Sequence, residues 1–412
     1  MTKEKRKSGC WIIAIVGALL LLAGGGFAFK LFEPVFAYNT GWAAFEPEEN
    51  APSSFETFDE NFTSASAGAA RILAEARQSG RHPGISVAIG IEGQDVWRGA
   101  VGYADLAERT PLTLDHAFRL GSTSKPLAAV AVGTLMDEGR LELGTPMREI
   151  DPTLPAKFER ITLGQAMSHR AGIRNYGLCF CFPAWEHLNS RSFETVRDSV
   201  EVIAQDDLLF APGEGYAYTS LGYNLAGLAV AKAGDGSFGS VLRDRVLGPL
   251  AMDHTWLEDG ERPRGPTATW YDVEQRGTKP AWPVDQSIRW PSGGIISTPS
   301  DMVRFGSAIL DDSLLSDETR AELLAIPEGG RRDGGEIYAH GWRVFDWELE
   351  NGEARLTWQH NGTSVGSRSI FIIFPETGLV LSIMTNKGGD SIDDLVPLAN
   401  ELVSIFLAED AS

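Results

Sequence analysis

Segments with the pattern of β-strands lie near both ends of this 412-residue chain, and mostly helical patterns lie between them. Short segments rich in β-branched and other apolar residues, bounded by turn residues, predict strands at residues 84–90, 95–102, 338–346, 354–360, 368–374 and 379–385. Residues 140–260 have the pattern of helices and loops, and residues 399–408 predict a closing helix. Strands from the two ends can bury their apolar faces by pairing with each other. The pattern therefore predicts an α+β fold (an α/β sandwich), with an antiparallel sheet flanked by helices and an inserted, mostly helical lobe.

An uncharged apolar run at residues 11–29 follows a basic N-terminal tail, residues 1–10. A helix of about 20 apolar residues spans the hydrocarbon core of a membrane. Basic residues before it favour a cytoplasmic N-terminus, which predicts a single-pass protein of the cell membrane with its catalytic domain on the outer side, periplasmic or extracytoplasmic. The alternative is a signal peptide cleaved after Val35-Phe36-Ala37. The length of the apolar run favours an uncleaved anchor.

Residues 30–60 are rich in acidic residues, proline and serine, and are interpreted as a tether between the anchor and a hydrolase domain at residues 61–412. The net charge of −20 argues against nucleic acid as a partner. Cys179 and Cys181 are expected to be two packed thiols in a loop, since a disulfide across one intervening residue is strained. A redox role for this pair is the alternative. Neither a metal nor an organic cofactor is implied.

Ser122 stands three residues before Lys125, at the start of a long helical pattern. Residues three apart on a helix lie on the same face, about 5–6 Å from each other, so the lysine amine can reach the serine hydroxyl. A serine becomes a strong nucleophile when a neighbouring base takes its proton. Burial or nearby positive charge can lower the pKa of a lysine enough for this role. The pair therefore predicts an acylating serine enzyme.

Two other segments supply groups that such an enzyme needs. Tyr218 lies in a loop just before a helical pattern, and His360 lies at the end of a predicted strand, two residues before Gly362. A tyrosine close to positive charge can act as a general base, because that charge stabilises its phenolate. A glycine after the histidine lets substrate lie against the strand.

Together these blocks resemble the serine β-lactamase and penicillin-binding-protein superfamily. The resemblance is strongest to the class C β-lactamase-like branch, which includes the mitochondrial serine β-lactamase-like protein and bacterial relatives. It extends from about residue 83 to residue 386. It rests on the order and spacing of several blocks, among them residues 83–89, 118–125, 135–143, 161–163, 168–176 and 289–298.

The resemblance implies a role for each matching residue. Ser122 would be the nucleophile, Lys125 its proton acceptor and Tyr218 the general base that also serves the leaving group. His360 would stand where many members have a lysine, with Gly362 behind it, and the backbone N–H groups of Ser122 and Thr363 would form the oxyanion hole. Ser220 would contact substrate where class C β-lactamases usually have asparagine. This departure, like the histidine in place of lysine, points towards esterase or peptidase members.

The predicted function is thus a membrane-anchored serine hydrolase acting on small peptide, ester or β-lactam substrates. One alternative from another class is a non-catalytic peptidoglycan-binding or scaffold module with the same fold. A second alternative is a nucleophile elbow at Gly362-Thr-Ser364-Val-Gly366. That motif must join a strand to a helix and needs a later histidine. The segment after it has a strand pattern, and no histidine follows His360, which argues against the elbow.

Overall fold

The computed structural model describes residues 4–179, 182–311, 313–328, 337–349 and 351–410. The first helix, α1 (Glu4–Leu31), contains a segment of 19 residues, Ile13–Leu31, that is long and apolar enough to cross a membrane. A membrane anchor and a signal sequence both fit a helix at this position. A short second helix, α2 (Glu33–Tyr38), follows directly, with Pro34 in its first turn.

The main sheet has eight antiparallel strands contributed by both halves of the chain. The N-terminal half contributes β1 (Ser53–Thr57), β2 (Gly84–Ile91), β3 (Gln94–Asp105) and β4 (Thr110–Pro111). The C-terminal half contributes β10 (Arg343–Glu348), β11 (Ala354–Ser364), β12 (Ser367–Phe374) and β13 (Leu379–Thr385). Seven of them follow the order β1-β3-β2-β13-β12-β11-β10, while β4 pairs with β3. Because β13 pairs with β2, the prediction of one sheet built from both ends is confirmed.

Smaller strands and most of the helices lie between these two groups. The smaller strands are β5 (Phe118–Arg119), β6 (Trp256–Leu257), β7 (Tyr271–Glu274), β8 (Gly277–Pro280) and β9 (Ile295–Ser297). The helices after α2 are α3 (Thr63–Ser79), α4 (Ser124–Asp137), α5 (Met147–Ile150), α6 (Leu163–Met167), α7 (Val196–Ala204), α8 (Ser220–Ala233), α9 (Phe238–Leu242), α10 (Trp290–Gly293), α11 (Pro299–Leu310), α12 (Asp317–Leu324) and α13 (Val396–Asp410). The helices from α5 to α10 form the predicted inserted lobe.

Both faces of the sheet are covered, and β12 shows this most directly. Successive side chains of a strand point to opposite faces. Ile370 and Ile372 pack with α3 and α13 on one face, while Phe371 and Ile373 belong to the core under α4, α8 and α11 on the other. Every residue of β12 is therefore buried. The second face meets the helical lobe, and the junction between them is called the seam below.

The interpretation of residues 30–60 as a tether is wrong for the later part of that range. Ser53–Thr57 forms the edge strand β1, paired with β3 in the register Ser53↔Val101. Upstream of it, the Glu48 carboxylate accepts hydrogen bonds from Arg109 at 2.8 and 3.0 Å. An edge strand can be short and polar because one of its sides faces solvent. The acidic composition of this segment therefore reflects ion pairing and an edge position rather than a free linker.

Two further expectations differ from the structure. Cys179 is disulfide-bonded, which contradicts the expectation of two free thiols. Its partner is outside the residues whose side chains are described, as is Cys181. The predicted strand at residues 338–346 begins only at Arg343, because Gly341 adopts a φ of +95° and the chain turns there.

Candidate active site

Ser122 lies in a 3₁₀ turn, Gly121–Thr123, that leads directly into α4. The turn is packed against β11, and a Cβ atom on Gly121 would come within 2.5 Å of the Thr363 carbonyl oxygen. Gly121 also has a φ of +54°, which glycine adopts without strain. The serine is thus presented at the point where the helical lobe meets the end of β11.

Lys125, in the first turn of α4, is completely buried and contacts three oxygen atoms. Its Nζ lies 3.1 Å from Ser122 Oγ, 3.5 Å from Ser220 Oγ and 2.9 Å from the Ser292 carbonyl oxygen. Among the described residues, none of the carboxylates lies within 4 Å of it. Burial lowers the pKa of Lys125 well below its usual value, and the charges of Arg343 and Arg289 lower this pKa further. A lowered pKa favours the neutral amine, which is the form that accepts a proton from the serine.

Tyr218 lies opposite the serine, in the loop before α8. Its ring is 4.8 Å from Lys125 Nζ, measured to the ring centroid. Tyr218 and Ser122 line one cavity of about 300 Å³, together with Asn361 and Thr363. The helix after the loop begins where the Thr219 side chain accepts the Gly222 N–H, which caps α8 and fixes Ser220 beside Lys125. The structure therefore brings together Ser122, Lys125, Tyr218, Ser220 and Thr363.

Gly362 and Thr363 lie near the C-terminal end of β11, just before the hairpin that joins β11 to β12. A Cβ atom on Gly362 would overlap the carbonyl oxygen of Leu120, two residues before the serine. This close approach explains why glycine stands there. The hairpin also decides whether Ser364 belongs to a nucleophile elbow. Because β11 turns into strand β12 and not into a helix, Ser364 is not in a nucleophile elbow.

His360 takes a different place from the residues above. It faces the seam, since its register partner on β12 is Phe371, but it does not line the cavity of Ser122. Its Nε2 lies 3.0 Å from the Tyr338 hydroxyl and its Nδ1 lies 2.6 Å from the Asn361 carbonyl oxygen. Burial lowers the pKa of His360 well below its usual value, as do the charges of Arg343 and Lys125. The imidazole is therefore neutral and contacts the site through Tyr338.

Several groups at the site were missed by sequence reasoning. Arg343, the first residue of β10, lines the cavity of Ser122 and is the one cation among its described lining residues, which also include the acidic Asp390 and Asp393. The His169 ring packs 4.2 Å from the Tyr218 ring and 4.5 Å from the Tyr338 ring, between centroids. None of these residues stands in a motif with Ser122 or Lys125. His169 has a φ of +60°, a conformation that the turn before Gly172 requires but that sequence spacing does not reveal.

Comparison with known proteins agrees with this geometry. Residues 69–402 match the family model described as Beta-lactamase. The chain is 24% identical over 408 residues to the mitochondrial serine beta-lactamase-like protein LACTB of Homo sapiens, covering 79% of this chain and 73% of that protein. It is 28% identical over 324 residues to penicillin-binding protein 4 of Amycolatopsis lactamdurans, covering 74% of this chain and 81% of that one. Among solved structures, D-amino acid amidase from Ochrobactrum anthropi SV3 superposes with a TM-score of 0.72 at 23% identity, covering 84% of this chain and 99% of the amidase.

Proposed function

The chain is a serine hydrolase of the Beta-lactamase family, and from this premise we propose that it opens amide or ester bonds through an acyl-enzyme at Ser122. One observation carries the proposal. Ser122 Oγ lies 3.1 Å from the amine of a buried lysine whose pKa is lowered well below its usual value. A neutral amine at that distance can take the serine proton as the nucleophile attacks.

The proposed reaction has two halves. Ser122 Oγ adds to the substrate carbonyl while its proton passes to Lys125, and the backbone N–H groups of Ser122 and Thr363 stabilise the oxyanion. Collapse of the tetrahedral intermediate breaks the bond to the leaving group, which takes a proton from Tyr218. Water then adds to the acyl-enzyme, gives up a proton to the same basic groups and releases the acid and Ser122. The position of Tyr218 beside Lys125 supports this division of labour.

The substrate class that we propose is an amide or ester, and we expect β-lactamase activity to be weak. By the family resemblance, Ser220 would stand where class C β-lactamases usually have asparagine, and His360, whose pKa burial lowers, would stand where many members have lysine. Names among the relatives and structures include D-amino acid amidase, penicillin-binding protein and beta-lactamase. Peptidase, esterase and weak β-lactamase activities are therefore the ones to assay.

We also propose that α1 anchors the chain in a membrane, with the catalytic domain outside the cytoplasm. The basic tail before the apolar segment and the length of Ile13–Leu31 support this topology. Protease digestion of intact and of opened cells tests it, because an external domain is degraded in both and a cytoplasmic one only after opening.

Labelling with a fluorophosphonate tests the catalytic proposal. We expect the full-length chain in detergent to gain a single adduct by intact mass, and we expect Ser122→Ala to lose it. Ser364→Ala is the matched control, since Ser364 is the serine of the rejected elbow, and this variant should label like the wild type. Absence of an adduct on folded wild-type chain would contradict the hydrolase and leave the non-catalytic binding module as the explanation.

A further inference from the structure

A second cavity of about 800 Å³ adjoins the cavity of Ser122, and the two share Thr363 and Asp390. We call the larger cavity the chamber. Its walls come from α2, from the hairpin of β7 and β8, from the loop around His187 and from the end of β11. β10 pairs with β11 only as far as the register Arg343↔Gln359. The edge of β11 from Asn361 to Ser364 is therefore not covered by β10 and faces both cavities.

Arg289 lines the chamber and is 8% exposed. Its Nη2 donates to the His187 carbonyl oxygen at 2.6 Å, and its guanidinium lies 4.8 Å from the centre of the Tyr176 ring. Its Nε has no hydrogen-bond partner. In the part of the chain that the structure describes, no carboxylate lies within 4 Å of this guanidinium. Arg289 is thus a buried cation without a carboxylate in direct contact among the described residues, although the more distant Glu258 carboxylate feels its charge.

Two of the three other buried arginines have such a partner, whereas Arg77, which is 2% exposed, donates only to the Glu48 carbonyl oxygen among the described residues. Arg119 is bound by both carboxylate oxygens of Glu258, at 2.7 Å for the shortest contact, and Arg368 donates to Asp394 at 2.9 Å. Removing a charge from water is costly unless an opposite charge compensates it. An arginine fork is suited to binding a carboxylate through two hydrogen bonds. Because Arg289 lines the chamber, an anion that enters the chamber would supply the partner that it lacks.

The other charged side chains that line the chamber have partners of their own or are exposed, so we assign the binding of an anion to Arg289. Lys279 Nζ donates to the Ala37 carbonyl oxygen at 3.0 Å and lies 4.0 Å from the Asp272 carboxylate. Glu274 accepts from Arg276 at 3.1 Å and from the Tyr38 hydroxyl. Asp390 is exposed at the junction with the cavity of Ser122.

We propose that Arg289 binds a carboxylate carried on the acyl arm of the substrate. This rests on the proposed function, which places the leaving group beside Tyr218. Tyr218 lines the cavity of Ser122 but not the chamber, so the leaving group occupies the smaller cavity. The acyl arm then extends from the carbonyl at Thr363 along the uncovered edge of β11 into the chamber, where Arg289 lies. The preferred substrate is an amide or ester with an acidic acyl chain.

Two esters of equal chain length test the subsite. The 4-nitrophenyl monoester of glutaric acid has a terminal carboxylate, and 4-nitrophenyl pentanoate has a methyl group there. We expect the full-length enzyme to prefer the acidic ester, and we expect Arg289→Met to remove most of that preference. Arg289 also lowers the pKa of Lys125, so its loss changes the turnover of both esters, and the quantity compared is the ratio of their kcat/KM values, which should fall by about 10- to 100-fold, the usual size of a lost hydrogen bond to a charge. The neutral pentanoate also reports whether the variant is folded.

Two more variants complete the experiment. Arg160→Met removes the same charge from an exposed position on the helical lobe and should leave the ratio between the esters unchanged. Arg289→Lys keeps a positive charge and should retain part of the preference. If Arg289→Met keeps the wild-type ratio, the subsite is overturned.

A binding measurement separates this proposal from the proposed function. We expect Ser122→Ala to bind monomethyl glutarate by calorimetry, and we expect the Ser122→Ala, Arg289→Met double variant to lose that binding. Binding without ester turnover in the wild type would contradict the hydrolase and support the subsite. Turnover without binding to Ser122→Ala would contradict the subsite and support the hydrolase.

Discussion

The two faces of the main sheet are both buried, but they bury different kinds of side chain. Under α3 and α13 the interior consists of residues such as Ile372, Leu402 and Phe406, which are fully buried and apolar. At the seam, the interior includes Lys125 and His360, which are also buried to at least 99%. Apolar burial stabilises a fold in proportion to the area removed from water. Burial of a titratable group costs stability and changes its proton affinity instead.

The difference teaches where stability and chemistry are placed in this molecule. Apolar burial on the first face supplies free energy of folding, which offsets the stability cost of burying titratable groups at the seam. The seam uses that burial to lower the pKa of Lys125 and of His360. Substitutions on the two faces should therefore have opposite consequences for activity and for stability, and the following predictions test this separation.

The largest expected effect is on catalysis at Lys125. Lys125→Met should lower kcat/KM by about 10²–10⁴, the usual contribution of a positioned acid or base. The free energy of unfolding should stay the same or rise, because a buried amine is replaced by an apolar side chain of similar length. Lys125→Arg, which cannot give up its proton, should lose as much activity and also lose stability. A Lys125→Met enzyme with more than about a tenth of wild-type activity would remove this lysine from the mechanism.

The second effect is on stability at the apolar face. Leu402→Ala should lower the free energy of unfolding by about 2–5 kcal/mol, because it leaves a cavity in a closed core. The kcat of the molecules that remain folded, counted by fluorophosphonate titration, should change less than about twofold. Leu407→Ala, at a partly exposed position on the same helix, should cost less. A large fall in kcat per active site at Leu402 would show that the two faces are coupled.

The third effect concerns the close contact between β11 and the turn that carries Ser122. Gly362→Ala would force β11 away from Leu120 and therefore away from the turn of Ser122. A displacement of about 1 Å is expected to lower kcat/KM by about 10²-fold. Gly144→Ala is the matched control, because a Cβ atom there meets nothing within 4 Å. Normal kinetics in Gly362→Ala would show that the contact does not position the serine.

The smallest effect, taken per pH unit, is the change in the free energy of unfolding with pH that is due to a buried histidine outside the seam. Burial lowers the pKa of His82 from its usual 6.5 to about 3. The unfolded chain therefore binds a proton below about pH 6.5 that the folded chain does not bind. Stability from this group is complete above pH 6.5 and is lost as the pH falls towards 3, by at most about 1.4 kcal/mol per pH unit. Urea unfolding between pH 7.5 and 4 measures the slope, which His82→Gln should reduce; an unchanged slope would assign it to other groups.

Local patterns predicted the parts of this structure that depend on neighbours in sequence. The strands at residues 368–374 and 379–385 match β12 and β13 almost residue for residue, since burial on both faces gives continuous apolar runs. The contact between Ser122 and Lys125 follows from spacing on a helical turn. These features needed no knowledge of the rest of the chain.

The parts that were missed depend on pairing between distant residues. β1 is polar and short, so only its ladder to β3 identifies it as a strand. Arg343 reaches the cavity of Ser122 because β10 ends the sheet beside it, and the fold buries Arg289 in the wall of the chamber with no carboxylate within 4 Å among the described residues. A sequence without its fold does not distinguish such an arginine from those that are paired.

The hairpin of β7 and β8 has a consequence for how substrate arrives. It fixes the segment after α1 through two hydrogen bonds of 2.9 Å between Ala43 and Thr278, and through Lys279 on Ala37. Only α2, which is six residues long and rises roughly 9 Å, separates the end of the apolar segment from the chamber that α2 lines. With α1 in a bilayer, as proposed above, the chamber would open close to the membrane surface. The enzyme would then encounter its substrates by diffusion in two dimensions, and molecules tethered to that surface would reach the serine before those in the bulk.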